Sequence, residues 1–368
     1  MTSAFNQPDG NEISNGKKVN SDSESGWEQR WHPLLREWVI YSAHRQNRPW
    51  TGELPTNSQP VKPAYDPACY LCPGNTRISD VVNPDYNGVF VFDNDRPSLS
   101  FAAPANLAKP PGIYANKPAT GLTRVICYSP THNTSMSELS AEQVEAVVME
   151  WQRQTRILGN IPEINSVNIF ENKGELCGMS NPHPHGQIYA TNFVYKNIEA
   201  CLHAASEHHR QSGQFLFEDI VAAETSTGER VIGQRESTVA FVPYFARFAY
   251  ETYLVPLRRV SHITQLTDPE LADLASLLHE TLIRMDNLWS IPFPYLLTLH
   301  QAPLDGQNYP LFQFHIALYP PLRTPELRKY VAAHEIGGGN FLADTMPEDK
   351  AAELRNAPTI HYMQNQTR

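Results

Sequence analysis

The chain has 368 residues, enough for about two domains or one large one with a substantial core. Its 29 Lys and Arg against 39 Asp and Glu leave a formal charge of −10, which excludes a large nucleic-acid footprint but not a small basic nucleotide pocket. No apolar run approaches the roughly 18 residues of a membrane span, and the N-terminus lacks a signal peptide's apolar region, so a cytoplasmic protein without nucleic-acid or membrane partners is expected.

Five cysteines, Cys69, Cys72, Cys127, Cys177 and Cys201, are an odd count without secretory context and argue against a disulfide framework. Thirty prolines favour extended segments and loops over a helical bundle. Residues 1–26 hold too few apolar side chains to offset ordering entropy and read as a disordered tail. Trp38–Tyr41 opens the folded part as a strand. Arg45 and Arg48, before the rigid Pro49-Trp50, form either a guanidinium clamp for phosphate oxygens or a solvated turn. Cys69-Tyr70-Leu71-Cys72 has the spacing of a metal knuckle, and the Pro73-Gly74-Asn75 that follows opens a loop rather than the helix of a thioredoxin-like motif.

Val89–Phe92 reads as a buried strand ending in a polar turn with Asn94 and Asp95, and Leu122–Tyr128 as another strand. Ser140 with Gln143 makes a capping box ahead of a helix whose stripe of Val144, Val147, Val148 and Trp151 is core packing. After the strand Val167–Phe170 comes Asn181-Pro182-His183-Pro184-His185-Gly186-Gln187. Two prolines forbid a helix there, so the run is extended and His183, His185 and Gln187 are expected to share one face. Such imidazoles serve as metal ligand, general base or nucleophile, and Gly186 is expected to let a ligand approach the chain. His203, His208 and His209 fall in a polar helical stretch and read as a solvated face. Thr252–Val255 is a strand, Thr267 with Glu270 a second capping box, and Leu271, Leu274, Leu278 and Leu282 a second apolar stripe. Tyr295–His300 and Phe312–Tyr319 follow as strands, so the order strand, helix, strand, strand occurs twice. A repeat of about 130 residues indicates duplicated domains, with boundaries expected at 1–26, 27–200 and 201–368. Gly337-Gly338-Gly339 lacks the frame of a dinucleotide fingerprint and reads as a flexible turn.

The Asn181–Gln187 run, with Phe170-Glu171-Asn172-Lys173-Gly174 upstream, resembles the active-site signature of the galactose-1-phosphate uridylyltransferases, a branch of the histidine triad superfamily. The resemblance implies an α+β fold of two tandem histidine-triad-like halves, each an antiparallel sheet with packed helices, acting as a homodimer on UDP-glucose and galactose 1-phosphate. It implies a structural zinc on Cys69, Cys72, His132 and His183, and catalysis by His185 as nucleophile with Gln187 hydrogen-bonding the phosphoryl group. Arg45 and Arg48 would share phosphate charge, Asn94 and Asp95 would meet uridine and ribose, and Asn172, Gly178, Met179 and Ser180 would complete the pocket. Lys329, Tyr330 and Glu335 would reach the nucleotide sugar of the neighbouring subunit. A second, iron-type site of some members is expected to be empty or weak, because His300 and His315 match two ligands while Cys201 and Ala317 stand at the others. Glu199 is near enough in sequence to replace one. A nucleotide-sugar hydrolase or phosphorylase, or a zinc-stabilised nucleotide-binding protein without turnover, are the alternatives.

Overall fold

The computed structural model describes residues 27–42 and 63–364, so the N-terminal tail, Arg45 and Arg48 lie outside the described residues. In chain order the first half comprises β1 (Glu28–His32), β2 (Glu37–Tyr41), β3 (Phe90–Asp93), β4 (Gly121–Cys127), α1 (Ala141–Gly159), β5 (Ser166–Lys173) and β6 (His185–Thr191). There follow α2 (Lys196–Ser212), α3 (Leu216–Thr227), β7 (Val231–Gln234), β8 (Thr238–Phe241), β9 (Thr252–Pro256), α4 (Asp268–Asn287), β10 (Tyr295–His300) and β11 (His315–Tyr319). The chain closes with β12 (Leu322–Thr324), β13 (Leu327–Arg328), α5 (Ala333–Gly338), β14 (Leu342–Ala343) and α6 (Pro347–Asn356).

The two halves build one sheet rather than two. Its nine strands run β3-β4-β6-β5-β10-β11-β9-β8-β7, and every recorded pairing within it is antiparallel. Apart from β7 the order reads as a palindrome about the β5–β10 seam, where Phe170 pairs with Thr298 and Asn172 with Leu296. Phe170 pairs onward with Gln187 and Thr298 onward with Ala317, so Ala317 is the counterpart of Gln187 and His315 of His185. Helix α2 runs unbroken through positions 200 and 201, where the expected division falls.

Both predicted helices pack on one face of this sheet. The Ser140 hydroxyl accepts from the Gln143 N–H while the Gln143 side chain accepts from the Ser140 N–H, which fixes where α1 starts. At α4 the Glu270 carboxylate accepts from both the N–H and the hydroxyl of Thr267. Val144, Val147, Val148 and Trp151 of α1 and Leu271, Leu274, Leu278 and Leu282 of α4 are buried in one cluster with Ile169, Ile188, Leu254, Leu297 and Ile316 of the sheet. Each such side chain contributes roughly 1.5–3 kcal/mol by leaving water.

Two local expectations are corrected. The β3 strand is not a buried one: among the described residues it lies at the sheet's edge and pairs with β4 alone, and its side chains are half-buried or exposed. Gly337 and Gly338 lie inside the short helix α5, and Gly339 ends it at φ 85°, a left-handed conformation that favours glycine.

Behind β5 sits a buried ionic network. The Asp286 carboxylate of α4 accepts from Lys173 Nζ at 3.0 Å, Ser137 Oγ at 2.5 Å, His361 Nε2 at 3.2 Å and the Phe293 N–H at 2.7 Å. Burial alone would push this carboxyl up, but Lys173 and the hydrogen bonds outweigh it and hold the group below its ordinary 3.8. Replacing Asp286 by alanine leaves a lysine buried without its counter-charge. Urea unfolding at pH 7 is expected to show a loss of about 3–5 kcal/mol. In the unmodified protein the carboxylate's contribution is present at neutral pH and is lost only as pH falls through its lowered value.

Candidate active site and metal centre

The Cys69–Cys72 turn is held by amides. Asn75 Nδ2 donates to the carbonyls of Asp66 and Cys69, and Asn83 Nδ2 to those of Tyr70 and Cys72. This directs both thiols at His132 and His183, and one ligand atom from each of the four lies within 4.8 Å of the others, all buried. Cys72 Sγ stands 3.6 Å from His132 Nδ1 and 3.5 Å from His183 Nδ1. Tetrahedral zinc with ordinary bond lengths sets sulfur and nitrogen ligands about 3.6 Å apart, so the donors fit such an ion. Burial pushes the Cys72 thiol up to about 11, and Cys69 beside it adds to the effect, so a bound cation is what would keep the Cys72 sulfur a thiolate. His183 presents Nδ1 to the cluster because its Nε2–H donates to the Ser129 carbonyl at 2.9 Å. The Tyr86 hydroxyl, 3.0 Å from the same nitrogen, donates to the Leu71 carbonyl.

His183 does not share a face with His185. The chain bends at Pro182 and His183, where the Asn181 side-chain oxygen accepts the His183 N–H at 2.9 Å, and β6 begins only at His185. The bend turns one imidazole into the metal cluster and leaves His185, Gln187 and Tyr189 alternating on the face opposite the helices. His185 Nδ1 lies 2.8 Å from the His183 carbonyl oxygen. A carbonyl can only accept, so Nδ1 carries the hydrogen and the lone pair resides on Nε2. Burial holds this imidazole below its usual 6.5, so it is neutral at pH 7. Gly186 has a different role from the one expected. It faces the helix side, where a Cβ would meet the Tyr128 hydroxyl at 2.2 Å, so the close approach it permits is that of Tyr128.

Phe170 and Asn172 of β5 alternate onto the same open face as Gln187. The loop carrying Gly178, Met179 and Ser180 leads from β5 to the bend, with Gly174 and Gly178 at φ 89° and 75°. Asn94 and Asp95 follow β3, and Asp95 accepts from Ser79 Oγ at 2.7 Å with Arg77 3.7 Å away, which ties that turn to the metal hairpin. Lys329 and Glu335 form a buried pair at 2.5 Å, whereas Tyr330 is partly exposed beneath the Arg328 guanidinium. His208 pairs with Asp219, and His209 stacks on Phe215.

Two family models cover nearly the whole chain: the N-terminal domain of galactose-1-phosphate uridyl transferase over residues 17–195 and its C-terminal domain over residues 201–366. The chain belongs to the galactose-1-phosphate uridylyltransferase family. It is 38% identical to the galactose-1-phosphate uridylyltransferase of Haemophilus influenzae over 91% of this chain and 95% of that one. It is 36% identical to the enzyme of that name from Rattus norvegicus over 90% and 88%. A solved uridylyltransferase structure superimposes with a TM-score of 0.73 at 29% identity, covering 89% of this chain and 97% of its own. An ADP-glucose phosphorylase from Arabidopsis thaliana, 22% identical with a TM-score of 0.72 over 90% and 99%, shares the fold.

In this family member the second half's counterpart of the open face is filled. Helices α2 and α3 lay Ile198, Cys201, Leu216 and Phe217 over Phe241, Tyr253 and Ala317. His315 is buried with Phe217 tilted against it at 4.6 Å and His300 parallel at 4.6 Å, and its Nδ1–H donates to the Gln313 carbonyl. Glu199 is exposed on α2 while Cys201 faces inward, so the helix does not deliver that carboxylate to the histidines. Sequence reasoning missed Tyr86, Asn83 and Arg77 as supports of the metal hairpin. Asn75, three residues after Cys72, did carry a signal in its tendency to bond backbone groups in turns.

Cys72→Ser is expected to lower metal content and melting temperature together, since four protein donors close the shell and the hairpin depends on them. Metal analysis beside a thermal melt checks this. Lost activity with unchanged stability would mean that the ion works at the substrate instead.

Proposed function

We propose that the protein transfers a uridylyl group between UDP-glucose and galactose 1-phosphate through a covalent uridylyl-His185 intermediate. The observation that carries this is the Nδ1–H bond to the His183 carbonyl, which leaves a neutral imidazole with its Nε2 lone pair directed to the open face. Nε2 attacks the α-phosphorus, a nitrogen–phosphorus bond forms, and glucose 1-phosphate leaves with the electron pair of the broken phosphorus–oxygen bond. An ionised phosphate oxygen of galactose 1-phosphate then attacks the same phosphorus and releases the imidazole. It needs no general base.

Gln187 donates a hydrogen bond to a nonbridging oxygen, helped by Arg45 and Arg48. Asn94, Asp95, Asn172, Gly178, Met179 and Ser180 hold the nucleotide. We assign the four-donor cluster to zinc, a closed-shell ion that fixes the hairpin and the bend without meeting substrate. The His300–His315 pair, lacking two ligands, holds a second metal weakly or not at all. A homodimer in which Lys329, Tyr330 and Glu335 approach the partner's nucleotide sugar completes the site. The five free cysteines suit a reducing compartment, and we place the reaction in the cytoplasm.

Incubation with UDP-glucose alone is expected to add one UMP to the peptide bearing His185. Mass spectrometry finding no adduct, or one on His183, would overturn the assignment. Because the folded His185 value lies below 6.5, adduct formation should stay constant from pH 8 through the usual histidine range and fall only at more acid pH.

Gln187 separates transfer from hydrolysis. An amide cannot relay a proton, whereas an imidazole at this position can protonate a leaving group and help water attack. Gln187→His is expected to raise UMP release relative to UDP-sugar formation. Gln187→Ala should slow adduct formation by about 10²–10³-fold, the scale of losing one preorganised phosphoryl or oxyanion donor. The idea fails if the unmodified protein cleaves UDP-glucose as fast without galactose 1-phosphate as with it.

A further inference from the structure

The palindromic sheet has a second concavity. A cavity of about 470 Å³ opens over the β5–β10 seam, floored by Asn168, Thr298 and His300 and walled by Tyr319, Phe248 and Phe341. That volume lies within the range of small-metabolite sites. Thr298 is the register partner of Phe170, so the cavity begins beside the strand that carries Asn172. Two residues further along each strand, His300 is the counterpart of Asn172, so the cavity occupies in the second half the place that the Asn172 pocket occupies in the first.

Its charged groups are of one sign. Among the described residues Arg247 and Lys196 line it, and no carboxylate does. Arg247 is largely buried. One terminal nitrogen lies 3.5 Å from Glu37, its backbone N–H is taken by Glu251, and its Nε is buried without a hydrogen-bond partner among the described residues. Glu251 and Glu37 offset the charge, so what remains is the unused Nε donor, and a buried donor without a partner is costly unless something supplies an acceptor. Asn168, whose side-chain oxygen accepts from the Thr298 hydroxyl at 2.9 Å, keeps its amide nitrogen as a donor, and Asn197 adds a second amide. Aromatic walls with amides and hydroxyls at the floor suit a hydroxylated ring, and the cationic side suits a phosphate.

We propose that this cavity is a second, non-catalytic binding site for a phosphomonoester carried on a hydroxylated ring, a hexose phosphate or a nucleoside monophosphate. It lacks the counterpart of the first half's His185–Gln187 pair: the residue matching His185 is buried under Phe217, and the one matching Gln187 is Ala317. The geometry stands without the uridylyltransfer reading, which enters only through the choice of probes.

The test uses the full chain carrying His185→Asn, which stops turnover. Equilibrium dialysis with labelled galactose 1-phosphate and with UMP is expected to give two sites per chain for at least one of them. Adding Lys196→Glu, at the exposed rim, together with the fold-sparing Arg247→Lys should weaken one site at least tenfold and leave the other. Hydrogen exchange of the amides of residues 195–198 and 247–248 should slow at least threefold with ligand and lose that protection in the double variant. Which ester binds tells a hexose phosphate from a nucleotide. One site per chain, a second site indifferent to Lys196→Glu, or inorganic phosphate binding as tightly as either ester would overturn the proposal. Adduct formation on His185, measured in the Lys196→Glu chain with His185 intact, is expected to stay within twofold, so failure of the transfer reading registers separately.

Discussion

The site depends on one residue used twice. His183 gives its ring to the metal cluster and its carbonyl oxygen to the Nδ1–H of His185. The bend that separates the two imidazoles exists because the Asn181 side chain takes the His183 amide, and Asn181 is itself 3.5 Å from Cys69 Sγ. Cluster geometry and the tautomer of His185 are therefore mechanically linked through a single peptide unit. An ion held by the cluster would reach the His185 ring only by fixing this backbone, which is how a closed metal site can matter to a group it never touches.

The duplicated sheet makes the asymmetry of the halves easy to state. On the helix side the two halves are equivalent, with α1 and α4 contributing to one core. On the other side the α2–α3 pair buries the second half's histidines under apolar side chains, while among the described residues no such pair covers the first half's face. Substitution of Gln187's counterpart by alanine agrees with that burial, since an amide under Cys201 and Phe217 would lack partners.

Much of this was legible because it rests on local rules. Pro182 and Pro184 exclude a helix, the two capping boxes set the starts of α1 and α4, and the strand-helix-strand-strand repeat follows from hydrophobic period. The knuckle spacing pointed to Cys69 and Cys72, while His132 and His183 came from the family resemblance. What was not legible is tertiary. A two-residue alternation placed His183 beside His185, and only the Asn181 contact breaks it. Gly186 was read as a ligand's doorway, whereas Tyr128, on the neighbouring strand's end, is what passes there. Nor does anything in β5 or β10 announce that they pair with each other, because a strand's sequence records its faces and not its edges.

That seam has a consequence for how the protein is made. While the ribosome is still adding residues, β5 is an unpaired edge with a lysine directed into an apolar interior, and both needs are met late. Asp286 and then β10 emerge on the order of ten seconds after β5 at ordinary synthesis rates. His361, 75 residues beyond Asp286, reaches the same carboxylate later still. The first half therefore cannot complete its core during its own synthesis, and termination before β10 is made leaves β5 as an exposed, sticky strand.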